Sequence, residues 1–226
     1  MIRTTIMKKL SFNRIKLLAY SIVMVSLPLL GGSAYAQLTV ASSGVKTVTL
    51  NDSINKNQFI WISTAPLESI KGSAETVTGS LLIDPANLAA MKGTVTALTK
   101  SMKTGNATRD NHLWSAEWMN VAKYPTITFK ITSVTNLKIT GNTATGYANG
   151  DFTMHGVTKQ VLVPFGMSYI VANAKTRERA SGDLVSFNAK FTIALKDYGV
   201  AGTEGVVGSK VGETVDITAQ LFGNTN

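Results

Sequence analysis

The sequence contains no cysteine. That excludes a disulfide framework, a thiol nucleophile, a cysteine-ligated metal and a lipoprotein anchor. Histidine is almost as scarce. His112 and His155 are the two in 226 residues, too few and too separate in sequence to suggest a metal site. No Gly-x-Ser-x-Gly elbow, no His-Glu-x-x-His and no Walker glycine loop occurs. The carboxylates are dispersed, so no spacing argues for an acid/base pair. No catalytic residue, metal or cofactor is therefore expected. Long Lys/Arg runs interleaved with aromatics are also missing, which argues against a nucleic-acid partner. The densest charge cluster, "KTRER" (175–179), sits among Asn, Ala, Ser and Gly and reads as an exposed hairpin loop.

Acidic residues are absent from 1–36, which carries Arg3, Lys8, Lys9, Arg14 and Lys16. An apolar run, "LLAYSIVMVSLPLLGG" (17–32), leads into Ala34-Tyr35-Ala36. A basic start, an apolar stretch and a small-x-small site predict a secretory signal peptide over 1–36, cleaved after Ala36. The expected location is the periplasm of a bacterium or the medium outside it. A transmembrane anchor fits less well, because the run is short and Pro28 and Gly31-Gly32 interrupt it. With the five basic residues of 1–36 set aside, 17 face 13 acidic ones, so the net charge falls from +9 to about +4. No Pro-rich or Ser-rich linker follows residue 37, and 37–226 is expected to form one domain with its own core.

Alternation with period two dominates what remains. "TITFKI" (126–131) sets Ile127, Phe129 and Ile131 on one face. "SFNAKFTIALK" (186–196) aligns Phe187, Ala189, Phe191, Ile193 and Leu195. "VLVPFGM" (161–167) and "VDITAQLF" (215–222) behave alike, with Pro164 pointing to an edge or a bulge. Weaker strands read at 45–50, 58–64, 74–83, 94–102 and 143–154, separated by Gly, Asn and Asp. Many short strands with little helix mean an all-β sandwich or barrel.

Two short helices are expected. "DPANLAAMKG" (84–93) has Asp84 as N-cap, Pro85 at the first position and Gly93 as the stop. The second, at 110–120, places Trp114 and Trp118 four apart on one face, with Asp110 or Thr108 as cap and Pro125 beyond its end. Two indoles on one turn need a large apolar acceptor, which the open end of a barrel supplies. Such a helix either completes the core or closes a ligand cavity.

Several blocks resemble the YceI-like family. "TRDNHLWSAEWMNVAKYPTITFKITSV" (108–134) is similar to its Arg-Asp-x-His-Leu, aromatic, Tyr-Pro and apolar-Thr-Phe signature. "GDFTMHGVTKQVLVPF" (150–165), "DYGV" (197–200) and "VGETVDITAQL" (211–221) resemble its later elements, in the right order. The chain departs at "FIWISTAPLESIKG" (59–72), which lacks the histidine usual near the family's first strands. The resemblance implies an eight-stranded antiparallel, lipocalin-like β-barrel with one or two short helices. It implies an exported protein that sequesters or carries a polyisoprenoid, of quinone or polyprenyl-phosphate type, or another long-chain amphipathic lipid. It also allows transient contact with a membrane.

An eight-stranded barrel has room for side chains or one slender ligand. Phe59, Trp61, Phe129, Ile131, Phe152, Phe165, Phe187 and Phe191 are the expected lining, with Trp114 and Trp118 as the cap. Arg109, Asp110 and His112 either hold a polar head group or tie the rim together. Two other functions fit less well: a barrel filled by its own side chains, and a lipid-modifying enzyme using His112 with Asp110 or Glu117.

Overall fold

The computed structural model describes residues 36–225; all of the predicted signal peptide except Ala36 lies outside them. The strands are β1 (Lys46–Leu50), β2 (Gln58–Thr64), β3 (Ser69–Ala74), β4 (Val77–Ile83), β5 (Lys92–Leu98) and β6 (Met102–Lys103), followed by β7 (Thr126–Thr140), β8 (Thr143–Met154), β9 (Val157–Ile170), β10 (Leu184–Ala194) and β11 (Thr214–Thr225). All the ladders are antiparallel. β11 pairs with β1 through Gly223–Thr225 and with β2 through Val215–Gln220. β4 then pairs with β1 and β3 with β2, while β5 pairs with β4 and β6 with β3. Thus β1–β2, β3–β4 and β5–β6 are three interrupted staves. With β7 to β11 they close an eight-stranded barrel.

The three interruptions fall side by side, and side chains replace the missing ladder bonds there. Asn57, fully buried, accepts from Phe222 N–H at 2.7 Å and donates to Asp52. Thr99, also fully buried, ties the third interruption to the segment before β7 by donating to Tyr124 O at 2.9 Å.

Alternation decides which side chains face inward. β8 reads exposed-buried in turn, with Ala144, Ala148, Phe152 and Met154 in the core. β9 continues this with Val163, Phe165, Met167 and Tyr169. Pro164 sits one residue beyond the last β9–β10 partner, Phe165 opposite Ala189. Its missing N–H coincides with the end of that ladder, as expected at an edge.

The end of the barrel near the β7–β8 turn is shut. Leu38 is buried, and its N–H donates to Pro85 O, while Thr39 N–H donates to Gly141 O. Beyond them Tyr169 donates to Asp183 at 2.6 Å, and Ser42 donates to the same carboxylate at 2.9 Å. Burial pushes the Tyr169 hydroxyl up to about 12, and its bond to Asp183 adds to the shift. Burial works against the Asp183 carboxylate, but Tyr169, Ala172 N–H and Ser42 outweigh it and hold the group below its ordinary value.

The expected helix at 84–93 is a single 3₁₀ turn, Leu88–Ala90. Asp84 accepts from Ala86 N–H two residues on, which makes a local turn instead of a helix cap. Gly93 lies within β5, where a β-carbon would collide with Ser80 O and Leu81. Two α-helices are present among the described residues: α1 (Ala107–Trp114) and the one-turn α2 (Ala174–Arg177), which carries much of "KTRER" in the exposed β9–β10 connection.

Candidate functional site

The opposite end of the barrel holds a cavity of about 540 Å³. Its lower wall is apolar and comes from alternate positions of β2, β3, β5, β7, β8, β10 and β11. Its lips are α1, the β2–β3 turn and the long 199–213 connection between β10 and β11.

Local bonds set the position of α1. Asn106 caps it, accepting from Arg109 N–H at 3.0 Å, so neither Asp110 nor Thr108 is the cap. Asp110 is buried and turns back to accept from Thr104 N–H at 2.7 Å and Thr104 Oγ1 at 2.6 Å. Trp114 Nε1 donates to Met102 O at 2.9 Å, and Lys100 Nζ lies 3.6 Å from the indole centre. These bonds staple one side of the helix to β6 and leave Arg109, His112 and Leu113 along the cavity.

The two tryptophans therefore do not cap the barrel together. The helix ends at Trp114, because Ser115 is extended, and Trp118 lies in the turn that follows. Trp118 lines the cavity, whereas Trp114 does not. The common face expected from i, i+4 spacing requires helix through 118, and the chain leaves that path three residues earlier.

Phe59, Trp61, Phe129 and Phe152 line the main cavity. Ile131, Phe165, Phe187 and Phe191 line a second, smaller one of about 70 Å³ deeper in the barrel. Phe59, Val95, Phe129 and Phe152 border both, so they form a partition between the two. Phe152 also packs edge-on against Phe191 and Tyr198, with ring centres 5.6 and 5.5 Å apart.

Polar groups gather at the mouth. Arg109 pairs with Glu68 at 3.1 Å and so ties α1 to the β2–β3 turn. Both side chains are more than a third exposed, so the pair is worth about 0–1 kcal/mol. Lys210 lies on the same rim, and among the described residues it forms no ion pair. Glu117 accepts from Thr203 Oγ1 at 3.1 Å and Asp110 is held by Thr104, so neither carboxylate is hydrogen-bonded to His112. His155 is a turn residue with φ 51°, its Nδ1 3.1 Å from Tyr198 O and its ring against Tyr124. Among the described residues no three His, Cys, Asp or Glu side chains group as metal ligands.

Sequence reasoning missed the 199–213 lip, which contributes Val200, Thr203, Val206, Lys210 and Val211. Its signal was a glycine at 199, 202, 205, 208 and 212 between two strong strands. Gly202 adopts φ +63°, and the Trp118 indole lies where its β-carbon would be.

A closed antiparallel barrel with an apolar chamber open at one end defines a lipocalin-like architecture. The model of the YceI-like domain matches residues 35–222. The chain belongs to that family. It is 30% identical to a UPF0312 protein of Ectopseudomonas mendocina over 195 residues, covering 86% of this chain and 91% of the relative. It is 37% identical to a UPF0312 protein of Pseudomonas putida over 133 residues, covering 59% of this chain and 65% of the relative. Among solved structures it resembles the Campylobacter jejuni YceI protein (TM-score 0.55, 23% identity, 72% of this chain and 88% of that one). It also resembles a polyisoprenoid binding domain from Saccharophagus degradans implicated in plant cell wall breakdown (TM-score 0.58, 14% identity, 81% and 100%). At these identities the structural likenesses establish the fold.

Proposed function

We propose that this chain is a carrier that holds one amphipathic isoprenoid or similar lipid, tail in the cavity and head at the rim. The observation that carries this is the 540 Å³ chamber, whose deep wall is apolar and whose charged side chains, Arg109, Glu68 and Lys210, lie at the mouth. Ligand pockets run from about 300 Å³ upward, so this interior is not filled by its own side chains. The polyisoprenoid binding of the Saccharophagus degradans domain supports the same class of ligand.

Volume limits the tail. At roughly 30 Å³ for each water- or methylene-sized group, the chamber takes about 18 of them. At about 0.8 kcal/mol per methylene, that is about 14 kcal/mol of gross transfer free energy, enough to offset association costs without a strong polar contact. A longer tail would extend through the mouth or displace the partition.

On this reading the protein does no chemistry on the lipid: among the described residues Asp110 and Glu117, the carboxylates an enzyme would pair with His112, are bonded elsewhere. The basic, apolar and Ala-x-Ala pattern of 1–36 supports export to the periplasm or beyond, with the mature protein starting at Gln37. Leu67, 73% exposed on the β2–β3 turn beside the mouth, suits brief contact with a membrane from which lipid is taken or to which it is returned. Mass spectrometry of an organic extract of the freshly purified protein is expected to show one co-purifying lipid class. Repeated extracts without lipid, together with no Trp118 quenching by added prenyl lipids, would end the proposal.

A further inference from the structure

The ladder between β9 and β10 stops half-way up the wall. It runs from Leu184 opposite Ile170 to Ala189 opposite Phe165. β10 goes on pairing with β11 as far as Ala194, and β9 goes on pairing with β8 as far as Val157. Among the described residues, Val157–Pro164 of β9 and Lys190–Ala194 of β10 therefore have no strand partner on the sides that face each other. At about 3.3 Å per residue, the unpaired stretch of β10 leaves a window roughly 16 Å tall. Its lower corner is Pro164, which has no N–H to carry the ladder on. Its upper corner is the contact of His155 Nδ1 with Tyr198 O at 3.1 Å, which ties the β8–β9 turn to the 3₁₀ turn Leu195–Tyr198.

Side chains close this window. Lys159 stands opposite Phe152 and Val161 opposite Gly150, so both start from inward-facing positions of β9. Yet Lys159 is exposed, Val161 is half-buried, and neither lines a chamber. β9 has peeled away from the interior at this height. The gap is filled by the edge-on aromatic group of Phe152, Phe191 and Tyr198. Phe191 stands on the unpaired stretch of β10, lines the deeper chamber and is only half-buried. Swinging its ring aside breaks no ladder bond, because none crosses the window. Apolar surface continues outside. Leu162 is 54% exposed, Pro164 is exposed two residues on, and Tyr147 lies opposite Pro164 on β8. Single exposed apolar residues are ordinary, but these three adjoin one another beside the gap.

We propose that the window is a tail portal: a lipid tail too long for the chamber leaves the barrel between β9 and β10, past Phe191, and lies along Leu162, Pro164 and Tyr147. This rests on the carrier reading and adds a second opening to it. The chamber takes about 18 methylene-sized groups, and the floor below is shut. The mouth is rimmed by Arg109, Glu68 and Lys210, so the side exit is the one that offers a surplus of hydrocarbon an apolar surface.

The test uses delipidated protein and two prenyl alcohols, farnesol and the much longer solanesol, each with a diazirine at the tail end. After photolysis and peptide mass spectrometry, the farnesol probe is expected on chamber residues and the solanesol probe on Val161, Leu162 or Phe191. The chain has no cysteine, so Leu162→Cys with Thr192→Cys, exposed residues on the two sides of the window, can be joined by a reducible bis-methanethiosulfonate bridge. The bridge should slow solanesol loading about tenfold, change farnesol loading by less than about twofold, and be reversed by reductant. The photolabelling needs no substitution and stands if the double variant fails to fold. Solanesol labels confined to Leu67 and the 199–213 connection, or a bridge that slows both probes equally or neither, would overturn the portal and leave the carrier intact. If neither probe binds the unmodified protein, the carrier proposal falls and the portal with it.

Discussion

Trp118 rests on Gly202, a residue of the β10–β11 connection in the left-handed region at φ +63°. The contact brings two lips of the cavity together, and Thr203 to Glu117 fastens it beside the indole. Gly202→Val should push Trp118 off the lip and strain the backbone by about 1–2 kcal/mol. The expected outcome is faster lipid release, by about tenfold in stopped-flow exchange, with that modest loss in chemical denaturation.

Trp114 and Trp118, four residues apart, should behave differently on removal. Trp118→Ala is expected to weaken retention of a prenyl lipid more than it weakens folding, because the indole faces the chamber. Trp114→Ala breaks the bond to Met102 O and the Lys100 stacking, and should cost about 2–3 kcal/mol of stability with affinity unchanged. Paired denaturation and binding titrations check both. Equal losses of affinity would show that the helix and the turn act as one lid.

Phe129 stands in the partition between the two chambers. Phe129→Ala should join them and shift selectivity toward tails several carbons longer. Competition between prenyl alcohols of stepped length reads this directly, and an unchanged length profile would count against the partition. Stability should fall by about 3 kcal/mol or less, since the ring is only partly buried.

The Tyr169–Asp183 bond makes a pH prediction. The Tyr169 group is raised from 10.0 to about 12, so its contribution is intact below pH 10 and is lost as pH rises through 12. Two units correspond to about 2–3 kcal/mol. Asp183 is lowered, so its contribution is present above the ordinary carboxylate value and lost as pH falls below it. Tyr169→Phe should remove the Tyr169 share of the alkaline loss between pH 10 and 12 and leave that of Tyr198, which burial also raises. It should also move acid unfolding to higher pH, because Asp183 loses a donor. Urea midpoints across the pH range measure both limbs.

Strands whose inward residues are large were legible from alternation: β7, β10 and β11 run where Phe129, Phe187, Phe191 and Ile217 mark one face. β3 was missed because its inward positions, Ile70, Gly72 and Ala74, include two small residues, one of them making room for an indole. The α1 boundaries were misjudged because several residues could cap it. Asn106 and Asp110 both qualify by type, and only the fold shows that Thr104 draws Asp110 away. The glycines of 199–213 mark a long connection, but its part in the site could not be read from the sequence. Its valines follow no period, and they matter only because the barrel ends beneath them.

The side-by-side breaks at 51–57, 75–76 and 99–101 give the wall a seam running around part of its circumference. Above that seam the tube can widen on three staves by bending at joints that carry few backbone ladder bonds. Below it, every stave is continuous and the floor is bolted by Leu38, Ser42 and Asp183. The molecule is thus a stiff cup with a compliant collar. A bulky cargo would stretch the collar and leave the cup unchanged.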